Sequence, residues 1–180
     1  MILITTSRRP TPKMRTLCND LARVLSNTIR LNRGKLSLQE LKEHAISCGS
    51  DSIIVVERRK GGPGLLRFYR HSHRGVWQNP LTASLVGVTT QKDISRRTRL
   101  RCEAVTVTEG LNGLLDDVAA ALSRFLRVPL LSATGSSPHG ASLNVSPHSK
   151  YVATLSFSAF SKGPDTGPTL VVRRAIIARR

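Results

Sequence analysis

The chain has 180 residues, with 28 Lys and Arg against 11 Asp and Glu, a formal charge of +17 and a pI near 11.4. Apolar residues make up 39%, too many for a disordered basic tail, and the length allows one domain with a real core. Of the 28 basic residues 21 are Arg, whose planar fork of donors suits bidentate phosphate contact, so the composition points to a polyanion: nucleic acid first, an anionic membrane surface second.

The longest apolar runs, such as Ile53–Val56 and Ala175–Ile177, are far too short to span a bilayer. Met1–Thr6 lacks the basic start and long hydrophobic stretch of a signal peptide. Cys18, Cys48 and Cys102 are odd in number and widely spaced, which argues against a disulfide framework or a zinc knuckle and for a reducing compartment.

In chain order, Ile2–Thr5 reads as a strand and Ser7-Arg8-Arg9-Pro10 as a turn. Thr11 before Pro12 is the pattern of a helix cap followed by a first helical residue, and Met14, Leu17, Cys18, Leu21, Val24 and Leu25 follow at spacings of three and four. Ser37 and Glu40 form a capping box for a second helix, with Leu38, Leu41 and Ala45 on one face and Gly49 past its end. Ile53–Val56 is a continuous apolar run expected of a strand covered on both sides, and Gly61–Gly64 turns the chain into a strand over Leu65–Tyr69.

His71–Pro80 has no clear period and is expected to join an N-terminal half, 1–75, to a C-terminal half, 76–180, of a single domain over 1–180. In the second half Leu85–Val88 and Leu100–Val107 read as strands, the latter with Cys102, Ala104 and Thr106 alternating against Arg101, Glu103 and Val105. Leu111–Leu126 is the most regular helix of the chain. Residues 132–149 carry no charge and much Ser, Gly, Pro and His, so a long loop is expected there. Tyr151–Phe157 and Leu170–Ile177 close the pattern as strands around a turn at Gly163–Pro168. The fold class expected is α/β, as two halves with mixed sheets. The halves carry net charges of +10 and +7, so the basicity belongs to the folded surface and not to a tail.

Enzyme motifs are missing. Arg33-Gly34-Lys35-Leu36 has a Gly-Lys step, but Ile29 and Leu36 stand where a phosphate loop needs Gly and a hydroxyl. Ser136 and His139 lie among glycines without a nucleophile elbow, and His71 with His73 lacks further metal ligands. Asp116-Asp117 reads as a pair of carboxylates in the early turns of a helix, where they suit its dipole. No catalytic, metal or cofactor site is expected, nor a small-molecule substrate.

Basic clusters are the candidate site. Arg8 and Arg9 lie between a strand and a helix start, where free backbone N–H groups already favour anions. Arg33 and Lys35 repeat that placement ahead of the second helix. Arg58, Arg59 and Lys60 end a strand at a Gly-rich turn, and Arg96, Arg97 and Arg99 lie between two strands of the second half. With only seven aromatic residues, contact through phosphate and shape is expected over base stacking.

Ile2-Leu3-Ile4-Thr5-Thr6-Ser7-Arg8, then Arg33-Gly34-Lys35 with Leu38, Leu41 and Ala45, then Val56-Glu57-Arg58 and Gly62-Pro63 resemble the Brix domain family in order and spacing. Pro80-Leu81-Thr82 to Val88 looks like that family's Gly-Pro-Thr strand, with Asn79 where Gly is usual. The resemblance implies two α/β halves, each similar to the anticodon-binding domain of class IIa aminoacyl-tRNA synthetases. It also implies a ribosome biogenesis factor that binds pre-ribosomal RNA, or a guide RNA particle, and assists rRNA processing and subunit assembly with other assembly proteins. The minimal, archaeal-type form implies the cytoplasm; a eukaryotic member would be nucleolar. The alternative is a protein-docking module of a ribosome-associated complex, whose basicity serves loose association.

Overall fold

Thr11 and Pro12 start the first helix for the reasons their chemistry supplies: the Thr11 hydroxyl accepts from Met14 N at 3.4 Å, and Pro12 occupies a position with no backbone acceptor to lose. The computed structural model describes residues 1–59, 62–93, 101–108, 113–132, 140–159 and 167–178. Its elements are β1 (Ile2–Thr6), α1 (Pro12–Val24), β2 (Thr28–Arg30), α2 (Leu38–Ser47), β3 (Ser52–Arg59), β4 (Gly62–His71), β5 (Trp77–Thr89), β6 (Cys102–Val107), α3 (Gly113–Leu126), β7 (Leu130–Ser132), β8 (Ala141–Ser146), β9 (Ala153–Ala159) and β10 (Thr169–Ile177).

These strands form one mixed sheet in the order β2-β1-β3-β4-β5-β10-β9-β8-β6-β7, where separate mixed sheets for the halves were expected. From the β5–β10 seam the order repeats outward in both directions. Antiparallel neighbours come first, and then β1 lies parallel between β2 and β3, as β6 does between β7 and β8.

Alternation along the strands sorts the core onto two faces. Ile2 and Ile4 of β1 and Ile54 and Val56 of β3 pack with Met14, Leu17 and Leu21 of α1 and with Val118, Leu122 and Phe125 of α3. Leu3, Ile53 and Val55 point the other way, onto Leu41 and Ala45 of α2. Burial on both faces is why β1 and β3 read as unbroken apolar runs. The capping box of α2 forms as expected: Ser37 N donates to Glu40 Oε2 at 2.7 Å and Glu40 N to Ser37 Oγ at 3.1 Å.

Three expectations need correction. The expected junction at 71–80 is the β4–β5 hairpin, closed by Ser72 N donating to Val76 O at 2.9 Å, so a division at 75/76 falls inside its turn. The expected 132–149 loop contains β8, paired with β6 and β9. Its polar residues satisfy each other: Ser142 Oγ donates to Asn144 Oδ1 at 2.7 Å and Asn144 Nδ2 to Ser158 Oγ at 2.6 Å, while Leu143 and Val145 face the core. In β6 a bulge between Cys102 and Ala104 shifts the alternation, so Val105 and Val107 pack in the α1–α3 core with Cys102. The short edge strands β2 and β7 carry no periodic signal at three residues each. The expected turn at 163–168 lies largely outside the described residues, as do the first residues of the expected Leu111–Leu126 helix.

The two sequence halves are tied by polar contacts as well as by the core. Asp20, buried on α1, accepts from Gln91 N at 2.9 Å, holding the segment that leaves β5. Asp51 at the foot of β3 pairs with Arg127 beyond α3 and lies 3.9 Å from the Met1 amine. Burial alone would raise the Asp51 carboxyl, but hydrogen bonds from Ser52 and Arg127 and the nearby positive charges outweigh it and hold it below the usual 3.8. A depressed folded pKa means that this stabilisation is present above about pH 4 and is lost as the pH falls through the folded value. Asp51 is partly exposed, so Asp51→Asn should cost about 0.5–1 kcal/mol at neutral pH. Urea melts should show the gap closing as the pH falls through the folded value. An unchanged gap there would refute the linkage.

Candidate nucleic-acid interface

In an open α/β sheet the chain leaves adjacent parallel strands in opposite directions at one point, and the loops beyond those strand ends form a crevice. Here that point is β1: α1 carries the chain to β2 on one side, and α2 returns it across the other face to β3. Ser7–Arg9, Leu31–Lys35 and Arg58–Arg59 therefore emerge at one edge, together with the N-termini of α1 and α2.

Backbone contacts pin this edge. Ser7 N donates to Val56 O at 2.8 Å, and the Ser7 hydroxyl accepts from Arg58 N at 3.3 Å, linking the Arg8-Arg9 turn to the end of β3. Thr5 Oγ1 donates to Leu31 O at 2.8 Å, linking the segment before Arg33 to β1. Arg9 takes φ 55° and Gly34 φ 57°, so each cluster contains a left-handed turn residue. Glycine adopts that conformation freely; an arginine does so at a cost.

Arg33 is the unusual member. It is only 9% exposed, its Nε donates to Leu36 O at 3.0 Å, and it makes no ion pair among the described residues. Burial pulls its guanidinium below the usual value and the nearby charge of Arg8 pulls further in the same direction, with Glu57 and Tyr69 opposing. Glu57 is engaged elsewhere, accepting from Arg67 Nε at 2.9 Å. Lys42 adds another cation 5.5 Å from the Tyr69 ring centroid. Among the described residues neither Arg8 nor Arg33 forms an ion pair, and the charges of Glu40, felt by Arg8, and Glu57, felt by Arg33, act without direct contact. An anion bridging the two arginines would supply the missing charge-assisted hydrogen bonds.

Of the sequence-predicted residues, the fold brings Arg8, Arg9, Arg33, Lys35 and Arg58 to this edge, and all but Arg33 are exposed. Arg59 turns away: its Nη1 donates to Ser84 Oγ of β5 at 3.3 Å. Lys60, Arg96, Arg97 and Arg99 lie outside the described residues. His71 packs on the Trp77 ring, centroids 5.2 Å apart, while His73 is exposed in the hairpin turn. Asp116 and Asp117 are exposed in the first turns of α3. Burial pushes the Cys18 thiol up to about 12 and the Cys102 thiol to about 11, so neither is a nucleophile at neutral pH. Among the described residues no helix is long and apolar enough to cross a membrane.

No family model matches the chain. Among curated proteins it is 44% identical over 66 residues, 37% of either chain, to a probable Brix domain-containing ribosomal biogenesis protein of Aeropyrum pernix. The corresponding protein of Pyrococcus horikoshii is 32% identical over 130 residues, 72% of this chain and 52% of that one. Among solved structures, a probable ribosomal biogenesis protein from Aeropyrum pernix K1 superposes with a TM-score of 0.81 at 26% identity, covering 96% of this chain and 95% of that one. The chain belongs to the Brix domain family. An archaeal Imp4-like protein shares the Brix fold, with a TM-score of 0.69 at 20% identity over 98% of this chain and 99% of that one. The chain spans about half the length, or less, of the curated Brix relatives it matches first, 37% and 48% for the proteins of Aeropyrum pernix and Methanococcus maripaludis.

Sequence reasoning missed two arginines of this Brix chain. Arg173 and Arg174 are both exposed on β10, in the middle of an apolar strand. The signal was present: adjacent arginines between Val172 and Ala175 cannot both point away from a core on a regular strand.

Proposed function

We propose that this Brix chain is a non-enzymatic ribosome biogenesis factor that binds pre-ribosomal RNA, free or within a guide RNA particle, and assists rRNA processing and subunit assembly. Arg8, Arg9, Arg33, Lys35 and Arg58 form the contact, with Arg59 beside it and Lys60, Arg96, Arg97 and Arg99 as further members. The observation that carries this reading is the meeting of the Arg8-Arg9, Arg33-Lys35 and Arg58 segments at the ends of β1, β2 and β3, beside two helix N-termini and with no ion pair on these residues among the described ones. A folded chain keeps like charges together at a cost, and an RNA phosphate offsets it. Ribosome biogenesis proteins among the relatives support the process. Other assembly proteins are its partners, and the cytoplasm its compartment.

A salt titration of purified chain against a structured rRNA fragment tests the reading. With ~6–10 phosphates contacted, affinity should fall by about three to five orders of magnitude between 50 and 200 mM salt. A shallow slope would favour docking through apolar contacts to another protein instead.

A further inference from the structure

The seam between β5 and β10 carries two opposed irregularities. Val171 pairs with Gly87 and Val172 with Leu85, leaving Val86 extra; Val172 pairs with Leu85 and Arg174 with Ser84, leaving Arg173 extra. In regular register Arg173 would oppose Ser84, and Arg174 would oppose the buried Ala83 and enter the core. The bulge lets Ala175 take that place opposite Ala83, and both arginines face solvent.

Arg173 then lines three open clefts. One of about 410 Å³ also has Lys13 of α1 and Arg59 of β3; one of about 280 Å³ has Arg59 and Arg174; one of about 460 Å³ has Lys150 and Tyr151 at the β8–β9 turn. Among the described residues no carboxylate lines any of them, and none of these cations forms an ion pair. Asp93, whose charge is felt by Lys13, is itself bonded to Thr90 N at 2.7 Å. At the far end the Tyr151 ring is 40% exposed and lies 5.1 Å from His148, centroid to centroid. It stands on the surface beside two cations, in a chain whose aromatic residues are few.

We propose that Arg173 is the hub of a second RNA track, which adjoins the β1–β3 edge at Arg59 and takes an unpaired strand: phosphates on Lys13, Arg59, Arg173 and Arg174, and a base on Tyr151. The inference rests on the RNA-binding reading above. The cations alone would suit an acidic peptide equally well; a solvent-facing ring next to them favours a nucleotide, which brings a π-face with every phosphate.

The test measures fluorescence anisotropy of a labelled single-stranded RNA of about 12 nucleotides, and of its duplex, on the full chain. Arg173→Glu should weaken single-strand binding at least tenfold and lower the salt slope by about one. Arg124→Glu, the same charge change on an α3 residue that lines none of these clefts, should change it less than threefold. Tyr151→Ala should weaken the single strand about tenfold and spare the duplex. Circular dichroism melts check folding, and Arg173→Gln replaces the reversal if that variant is unstable. Equal losses for Arg173→Glu and Arg124→Glu, wild-type affinity in Tyr151→Ala, or competition by an acidic peptide as strong as by unlabelled RNA would each overturn the track. If Arg8→Glu abolishes RNA binding while Arg173→Glu leaves it intact, only the track fails; if the wild-type chain binds neither RNA, both readings fail.

Discussion

Phe125→Ala should destabilise the protein by about 3–5 kcal/mol, the largest single-residue effect expected in the fold. Phe125 is 2% exposed on α3 and meets Phe68 of β4 edge to face, ring centroids 5.0 Å apart at 83°. Arg70 lies over the same ring at 5.3 Å, and its Nη2 donates to the Phe125 carbonyl at 2.6 Å. Truncation therefore removes buried area, opens a cavity between the sequence halves and strips the apolar cover from a half-buried guanidinium. Because α1 and α3 share one core, the loss should appear as a single cooperative transition at lower urea, with the slope unchanged. Two separated transitions would show that the halves fold independently and that the shared core adds little.

The triple reversal Arg8→Glu, Arg9→Glu and Lys35→Glu should reduce affinity for structured RNA by at least about 100-fold, since each charge-assisted contact contributes about 1.5–3 kcal/mol. All three side chains are exposed and have no ion-pair partner among the described residues, so the melting temperature should stay within a few degrees of wild type. Arg33 calls for a different substitution. A glutamate there would bury a carboxylate near Glu57 and forfeit the bond to Leu36 O, so a lost activity would report unfolding. Arg33→Gln removes the charge at less cost and should weaken RNA binding about tenfold by itself. Undiminished binding in the triple variant, measured by anisotropy at 100 mM salt or thereabouts, would remove the β1–β3 edge from the interface.

The candidate site was legible where its chemistry is local. Arg8-Arg9 before Thr11-Pro12 and Arg33-Lys35 before Ser37 and Glu40 announce cations at helix starts, and both starts form as read. Their convergence was not legible, because it depends on β1 lying parallel between β2 and β3, and β2 is three residues with no pattern of its own. Strand β8 was hidden by composition: serine and asparagine signal loops unless a neighbouring strand offers them hydroxyl partners, as Thr106 and Ser158 do. Arg173 was hidden by periodicity, since the bulge that exposes it exists only against β5.

The sequence by itself determined a folded, strongly basic α/β chain, the helices with their caps, the doubly buried strands and the placement of arginines at element ends. Each of these follows from interactions within a few residues or from summed charge. Only the tertiary structure decided that the halves join as one sheet across β5 and β10, that Arg33 is nearly buried beside Arg8, and that Arg173 looks out from the seam. The +17 charge is a property of the chain; its division between an edge crevice and a seam is a property of strand pairing, which links residues as distant as Ser84 and Arg174.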